Sequence, residues 1–146
     1  MTANAQPVID KMQLPLLTLR LGVFLVMLMW TLDKFINPGH SAAVFANFYG
    51  ITDAGASLLA VLAGLELVLL AMFVTGMFKR LTYGAVLLLH AVSTLSSFRQ
   101  YLAPFDNLLF FAAWPMLSAC FALFVLRDYD NMWTIAARSR EIRKEE

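Results

Sequence analysis

The sequence predicts an all-α membrane protein built as a single bundle of four transmembrane helices. Two observations predict this class. Of the 146 residues, 60% are hydrophobic and only 14% are charged, which is far more apolar than an ordinary soluble domain. Four apolar segments are also long enough to cross a hydrocarbon core about 30 Å thick, which needs roughly 20 helical residues. These spans cover residues 14–37, 54–77, 81–98 and 107–126, so we expect residues 1–146 to form one membrane domain.

The predicted spans are separated by residues that interrupt or flank membrane helices. Asn37-Pro38-Gly39 ends the first span, Lys79 and Arg80 separate the second from the third, and Pro104 precedes the fourth. In the first connection, Val44, Phe45, Phe48 and Tyr49 have the spacing of one helical face and predict a short helix at the membrane surface. The tail 127–146 predicts a second interfacial helix followed by a solvated end.

The positions of the basic residues predict the orientation of the chain. Positive residues are enriched in the cytoplasmic loops of membrane proteins. Here they precede the first span, join the second to the third and follow the fourth: Lys11, Lys79, Arg80, Arg127, Arg138, Arg140, Arg143 and Lys144. We therefore expect both termini to be cytoplasmic in a multi-pass protein of the inner membrane. Nucleic acid is not an expected partner.

Two ionisable residues lie near the middle of predicted spans, Glu66 in the second and His90 in the third. A charged side chain at the bilayer centre costs about 3 kcal/mol on insertion scales, so such residues normally face the protein interior and mark a site. We therefore interpret Glu66 and His90 as candidate catalytic residues in one shared polar pocket. Arg20, on the first span, can either pair with Glu66 or extend its guanidinium to the inner head groups. Lys34 shares the face of Arg20 and is expected at the outer boundary.

A polar stripe on the third span predicts the lining of that pocket. At 100° per residue, one side of the helix carries Tyr83, His90, Ser93, Thr94, Ser97 and Tyr101. The hydroxyls could equally bond only to helix carbonyls or to neighbouring helices. Together with Trp114 of the fourth span and Arg20, the residues Tyr83, Ser93 and Thr94 are the predicted cofactor-binding set. Such a lining suits a quinone head group, whose carbonyls need donors and whose reduction needs protons.

The sequence favours no other redox chemistry. Cys120 is the only cysteine, which excludes an internal disulfide and a CxxC pair, and we interpret it as a packing residue. No Cys/His/Asp cluster has the spacing of metal ligands, so no metal site is predicted.

The chain resembles the DoxX family of small four-helix membrane proteins. The similarity rests on Leu19-Arg20-Leu21-Gly22 and Asp33-Lys34-Phe35 in the first span, and on Ala63-Gly64-Leu65-Glu66-Leu67 and 75–80 in the second. For some relatives the resemblance implies partnership in quinone-linked oxidoreductase complexes, including thiosulfate oxidation and thiol-oxidative stress systems. It also implies that Arg20, Lys34 and Glu66 occupy recurring polar positions of the family.

Three functions are consistent with these patterns. The first is a subunit that holds a quinone-like substrate for a partner oxidoreductase, with Glu66 and His90 handling protons. The second is a non-catalytic membrane anchor or assembly factor, and the third is a small proton-coupled carrier. The second span carries a small-residue face opposite Glu66, which favours a homo-oligomer or a larger complex.

Overall fold

A computed structural model describes residues 6–135, and this part of the chain contains helices and no β-strand. The helices are α1 (Gln6–Ile36), α2 (Pro38–Val44), α3 (Ala56–Val74), α4 (Lys79–Ser96), α5 (Phe98–Tyr101) and α6 (Ala113–Leu126). A π-helical turn, Phe45–Tyr49, follows α2, and two 3₁₀ turns, Pro104–Asp106 and Leu108–Ala112, lie between α5 and α6.

The four long helices pack side by side in a ring. Helix α1 contacts α3 and α6, and α4 contacts the same two helices from the other side. The centre of the ring is a cluster of buried apolar side chains, comprising Leu16, Val23, Leu70, Phe73, Tyr83, Val86, Cys120 and Leu123. The thiol of Cys120 is therefore a packing group in this cluster.

Three stretches of helix are long and apolar enough to cross a membrane: Gln6–Ile36, Ala56–Val74 and Leu108–Leu126. Large apolar side chains also stay exposed along the helices, for example Val61 and Leu65 on α3 and Phe121 on α6. Exposed apolar surface on this scale is typical of contact with lipid. The structure therefore supports a multi-pass membrane protein. Helix α4 is less apolar, because it contains Lys79, Arg80 and the polar stripe around His90.

A short helix is present in the first connection, as predicted, but it begins earlier than expected. Pro38 is the first residue of α2. A backbone N–H at this position would have no partner within the helix, so the N–H that proline lacks costs no hydrogen bond. The π-helical turn continues to Tyr49 and ends at Gly50, whose φ of +70° is left-handed and suits glycine. Pro115 lies in the first turn of α6, where proline is equally tolerated.

The expected interfacial helix of the tail is wrong for the described part of that tail. Residues 127–134 form turns that fold back against the end of the bundle, and Asp130 and Thr134 are buried. The backbone N–H of Ile135 donates to the carbonyl of Thr75 at 3.0 Å, just after α3. The segment folds back because Gln13, Arg20 and Lys79 at this end of the bundle bind it through hydrogen bonds. Residues 136–146 lie outside the described part of the chain.

Replacing Gly76 by alanine should destabilise this contact. Gly76 has a φ of +66°, and a Cβ there would approach Cγ2 of Thr134 to 2.6 Å. We expect Gly76→Ala to lower the free energy of unfolding by about 1–3 kcal/mol, through left-handed strain and the clash. Thermal unfolding in detergent measures this loss of stability. Gly22→Ala is the matched control, because nothing lies within 4 Å of its Cβ. An equal melting temperature for the two variants would contradict the docked tail.

Candidate functional site

Arg20 is a fully buried cation, with a residue exposure of 0%. Its Nη1 donates to Oδ2 of Asp130 at 3.1 Å and to the hydroxyl of Tyr83 at 3.3 Å, and its Nη2 donates to the carbonyl of Met132 at 2.6 Å. The Tyr83 hydroxyl in turn donates to Oδ2 of Asp130 at 2.7 Å. The three side chains thus form a closed network that joins α1, α4 and the tail.

Two further residues hold the tail in this position. Gln13 of α1 donates through Nε2 to the carbonyl of Tyr129 at 2.7 Å, and its Oε1 accepts from the backbone N–H of Asn131 at 3.2 Å. Lys79, at the start of α4, donates to the carbonyl of Asp130 and to Oδ1 of Asn131. Side chains of α1 and α4 therefore bind the tail through hydrogen bonds to its backbone groups.

Arg20 has neither of the partners that the sequence suggested. It does not pair with Glu66, and with no exposed surface it does not extend to the head groups. Helical phase relates residues within helices, whereas Asp130 lies in an irregular segment after α6. The only sequence feature that pointed to Asp130 as the partner of Arg20 was the position of this carboxylate soon after the last span.

Glu66 forms a second ion pair, with Lys34 of α1. Oε2 of Glu66 lies 2.8 Å from Nζ of Lys34, and the two side chains are 23% and 12% exposed. Oγ1 of Thr31 lies 3.0 Å from the same carboxylate oxygen and 2.8 Å from the carbonyl of Met27. Because a hydroxyl has one hydrogen, Thr31 can donate to only one of them at a time. The Glu66 charge is thus balanced within the chain at the contact of α1 with α3.

This ion pair gives Lys34 a partner that the sequence analysis did not predict. Lys34 lies in the last turn of α1, and its side chain reaches an acid near the middle of α3. Lysine makes this possible because its long apolar stem lies along a helix while the ammonium reaches a distant partner. The shared face of Arg20, Thr31 and Lys34 on α1 was the signal that could have predicted the contact.

His90 lies in a third polar region, between α4 and α6. Its Nε2 is 3.1 Å from the carbonyl of Ala113. A carbonyl only accepts, so Nε2 carries the hydrogen in this contact. One turn away, Thr94 donates to the carbonyl of His90 at 2.8 Å, and Tyr101 donates to the carbonyl of Thr94 at 3.1 Å. The ring of Trp114 lies 5.7 Å from that of Tyr101, which gives the region an aromatic wall.

The predicted site residues are therefore distributed over separate places. Glu66 bonds to α1 and His90 bonds to α6, and no hydrogen bond or ion pair joins the two within residues 6–135. Arg20 and Tyr83 belong to the network with Asp130, while Thr94 and Trp114 lie with His90. Ser93 is exposed, so it does not lie on the buried side of the predicted stripe. Sequence reasoning missed Asp130 and the pairing of Lys34 and Thr31 with Glu66.

Comparison of the chain with protein-family models, curated proteins and solved structures finds no match. The resemblance to the DoxX family therefore stays a prediction from its short motifs.

Replacing Asp130 by asparagine should be strongly destabilising. The change leaves the buried guanidinium of Arg20 without a counter-charge, and breaking a buried ion pair in this way costs about 3–5 kcal/mol. We expect a large fall in melting temperature in detergent. Asp128→Asn is the control, because Asp128 is 79% exposed and its ion-pair distance to Arg127 is 3.9 Å. Unchanged melting of Asp130→Asn would show that the network contributes nothing to stability.

Proposed function

We propose that the chain is a DoxX-like subunit of the inner membrane that binds the head group of a quinone-like lipophilic molecule for a partner oxidoreductase. In this proposal four helices cross the bilayer and both termini are cytoplasmic. The observation that carries it is the ion pair of Glu66 with Lys34, which is mostly buried but retains some exposed surface and is surrounded by exposed apolar side chains on α3.

The path of the chain supports a fourth crossing by α4. The end of α3 lies beside the tail, because Thr75 accepts from Ile135. Helix α6 also ends beside the tail, at Leu126, so it begins at the opposite end of the bundle. Only α4, with the short turns that follow it, connects these two ends. If α3 and α6 cross the bilayer, α4 must cross it as well.

The distribution of charge supports cytoplasmic termini. Lys79 binds the tail at the end where α1 begins, and Arg127 follows α6 at that same end. Arg80 lies beside Lys79 and is exposed. Under the positive-inside rule this basic end faces the cytoplasm.

Cysteine labelling tests both the number of crossings and the orientation. Asp53→Cys and Asp128→Cys place thiols at opposite ends of the bundle, and the native Cys120 is buried and should label poorly. In intact cells, a membrane-impermeant maleimide should label position 53 and not position 128 until the membrane is opened. Labelling of both positions from outside would indicate three crossings. Labelling of position 128 alone would reverse the orientation.

The chemistry at Glu66 suits a quinone head group. Quinone carbonyls need hydrogen-bond donors, and the partly exposed ammonium of Lys34 supplies one. Reduction to the quinol needs protons, and a carboxylate in contact with that donor can accept or release one. Trp30 of α1 and Leu65 of α3 are exposed beside this ion pair, so a ligand can approach from the lipid. His90 remains a second candidate for proton handling.

Replacing Glu66 by glutamine tests the quinone proposal. The protein is purified in mild detergent with its associated proteins, and native lipids are extracted and assayed for quinone. We expect Glu66→Gln to reduce co-purifying quinone and quinone reduction by at least about tenfold, the effect of losing one charge-assisted interaction of roughly 1.4 kcal/mol. Asp53→Asn, an exposed acid in a connection, should behave like the wild type.

A control is needed because Glu66→Gln leaves Lys34 without its carboxylate. The double variant Glu66→Gln with Lys34→Met removes that uncompensated charge and should recover the melting temperature without recovering quinone. Absence of quinone from the wild type, together with unchanged turnover of Glu66→Gln, would remove the proposal.

A non-catalytic anchor or assembly factor is the second candidate. The observation in its favour is that Arg20 and Glu66 are each neutralised inside the chain, as expected of residues that only fix helix packing. Under this function Glu66→Gln changes the yield or the retention of a partner and leaves turnover unchanged. The assay above separates the two candidates.

A further inference from the structure

The connection between α4 and α6, residues 98–112, carries the most exposed large apolar side chains of the described chain. Leu102, Phe105 and Leu109 are 79%, 89% and 90% exposed, more than any other large apolar residue within residues 6–135. Leu108 is also more than half exposed. The connection lies at the end of the bundle away from the tail, because α6 begins there and ends beside the tail. These side chains therefore form an apolar surface at that end.

The backbone of this connection is closed by hydrogen bonds of the 3₁₀ type. Five of its N–H groups donate to the carbonyl three residues earlier, at 3.1 to 3.3 Å: those of Leu102, Ala103, Asp106, Asn107 and Phe110. The side-chain amide of Asn107 also donates to the carbonyl of Ala103 at 3.0 Å. Backbone groups that face lipid must be bonded within the protein, because lipid offers them no partner. The closed turns meet this requirement at the bonded positions, whereas an open loop would need water.

The length of the last span places the connection at the edge of the hydrocarbon core. The apolar stretch Leu108–Leu126 begins inside the connection. Its five 3₁₀ residues rise about 2.0 Å each and its fourteen α-helical residues about 1.5 Å each, so together they cover about 30 Å. The hydrocarbon core has the same thickness, about 30 Å. Since Arg127 directly follows Leu126 at one face of the core, Leu108 lies at the other face.

The charged residues of the connection fit this level of the membrane. They are Arg99 and Asp106, and both are exposed. A segment that exposes charges together with large apolar side chains is typical of the membrane interface, where the charges stay hydrated and the apolar groups enter the lipid. The other connection at this end, residues 50–55, is different, because it exposes Asp53 and a single large apolar side chain, Ile51.

We propose that the connection 98–112 is an interfacial anchor that binds the phospholipid surface of the leaflet at this end of the bundle. Leu102, Phe105 and Leu109 insert between the acyl chains, and the two charged side chains stay among the head groups. The anchor thereby holds the start of α6 at the interface. It needs α6 to cross the bilayer, but it needs neither a particular orientation of the chain nor a quinone site at Glu66.

Spin labelling of single cysteines tests the anchor by electron paramagnetic resonance. Cys120→Ala removes the only native cysteine, and Leu102→Cys, Phe105→Cys and Leu109→Cys then carry the nitroxide in vesicles of phosphatidylethanolamine and phosphatidylglycerol. Oxygen concentrates in hydrocarbon, whereas a nickel chelate stays in water. We expect oxygen to relax the three labels more strongly than the chelate does. Asp53→Cys is the matched control in the other connection, and there the chelate should dominate.

A second measurement avoids the apolar label. Trp30, Trp114 and Trp133 are replaced by phenylalanine, and Phe105→Trp then supplies the only indole. Its emission should lie at a shorter wavelength than that of Asp53→Trp in the same background. Lipids brominated near the glycerol end of the acyl chains should quench it more than lipids brominated near the methyl end, because the side chain lies at the edge of the hydrocarbon.

Each other outcome is decisive. Dominance of the chelate at positions 105 and 109 would show that the connection lies in water and would overturn the anchor. Low accessibility to both reagents would overturn it as well, because protein would then cover the surface, and spectral broadening that disappears on dilution with unlabelled protein would identify a second copy. The substituted side chains are exposed, so the variants should melt like Cys120→Ala. Quinone binding is measured on Glu66→Gln and not on these labels, so the two proposals fail separately.

Discussion

The buried ion pair of Arg20 with Asp130 is the constraint on which the end of the bundle depends. A guanidinium without exposed surface needs a counter-charge and acceptors for its N–H groups. In this chain the partners of its two Nη groups come from Tyr83 and from a segment that follows the last helix, while its Nε has no partner within residues 6–135. The segment must therefore turn back, and the absence of a Cβ at Gly76 leaves space for Thr134 as it does so. A charge on α1 thus determines the path of the chain after α6.

The same helix carries a second cation, and the two ion pairs together fix how the helices align. Arg20 and Lys34 are about four turns apart on α1. One pairs with the tail and the other pairs with Glu66 of α3, so sliding α1 along its axis would break both. Apolar contacts between membrane helices do not specify height in this way, because one leucine contact resembles the next. Buried ion pairs are costly, but a fixed register is the use for which they are best known.

The sequence predicted the helices better than their contacts. Runs of apolar residues locate the long helices, since length and hydropathy decide membrane crossing, and phase correctly placed Arg20, Thr31 and Lys34 on one face. Phase does not identify the helix that this face meets. Phase also does not show where a polar stripe ends. Ser93 and Thr94 are 100° apart around the axis of α4, and only Thr94 is buried. The partner of Arg20 was beyond prediction because Asp130 lies in turns, where hydrophobic periodicity carries no information.

The separation of Glu66 from His90 limits the proton chemistry that the bundle can perform. The carboxylate of Glu66 contacts Thr31 and Lys34 on one side of the ring. On the other side, Nε2 of His90 donates to the carbonyl of Ala113. With no hydrogen bond between the two in residues 6–135, a proton cannot pass from one to the other directly. In the proposed function, a head group bound at the ion pair therefore exchanges protons with Glu66 and not directly with His90. In the proposed function Lys34 has two roles: it stabilises the carboxylate of Glu66 when no head group is bound, and it donates to a quinone oxygen once Glu66 is protonated.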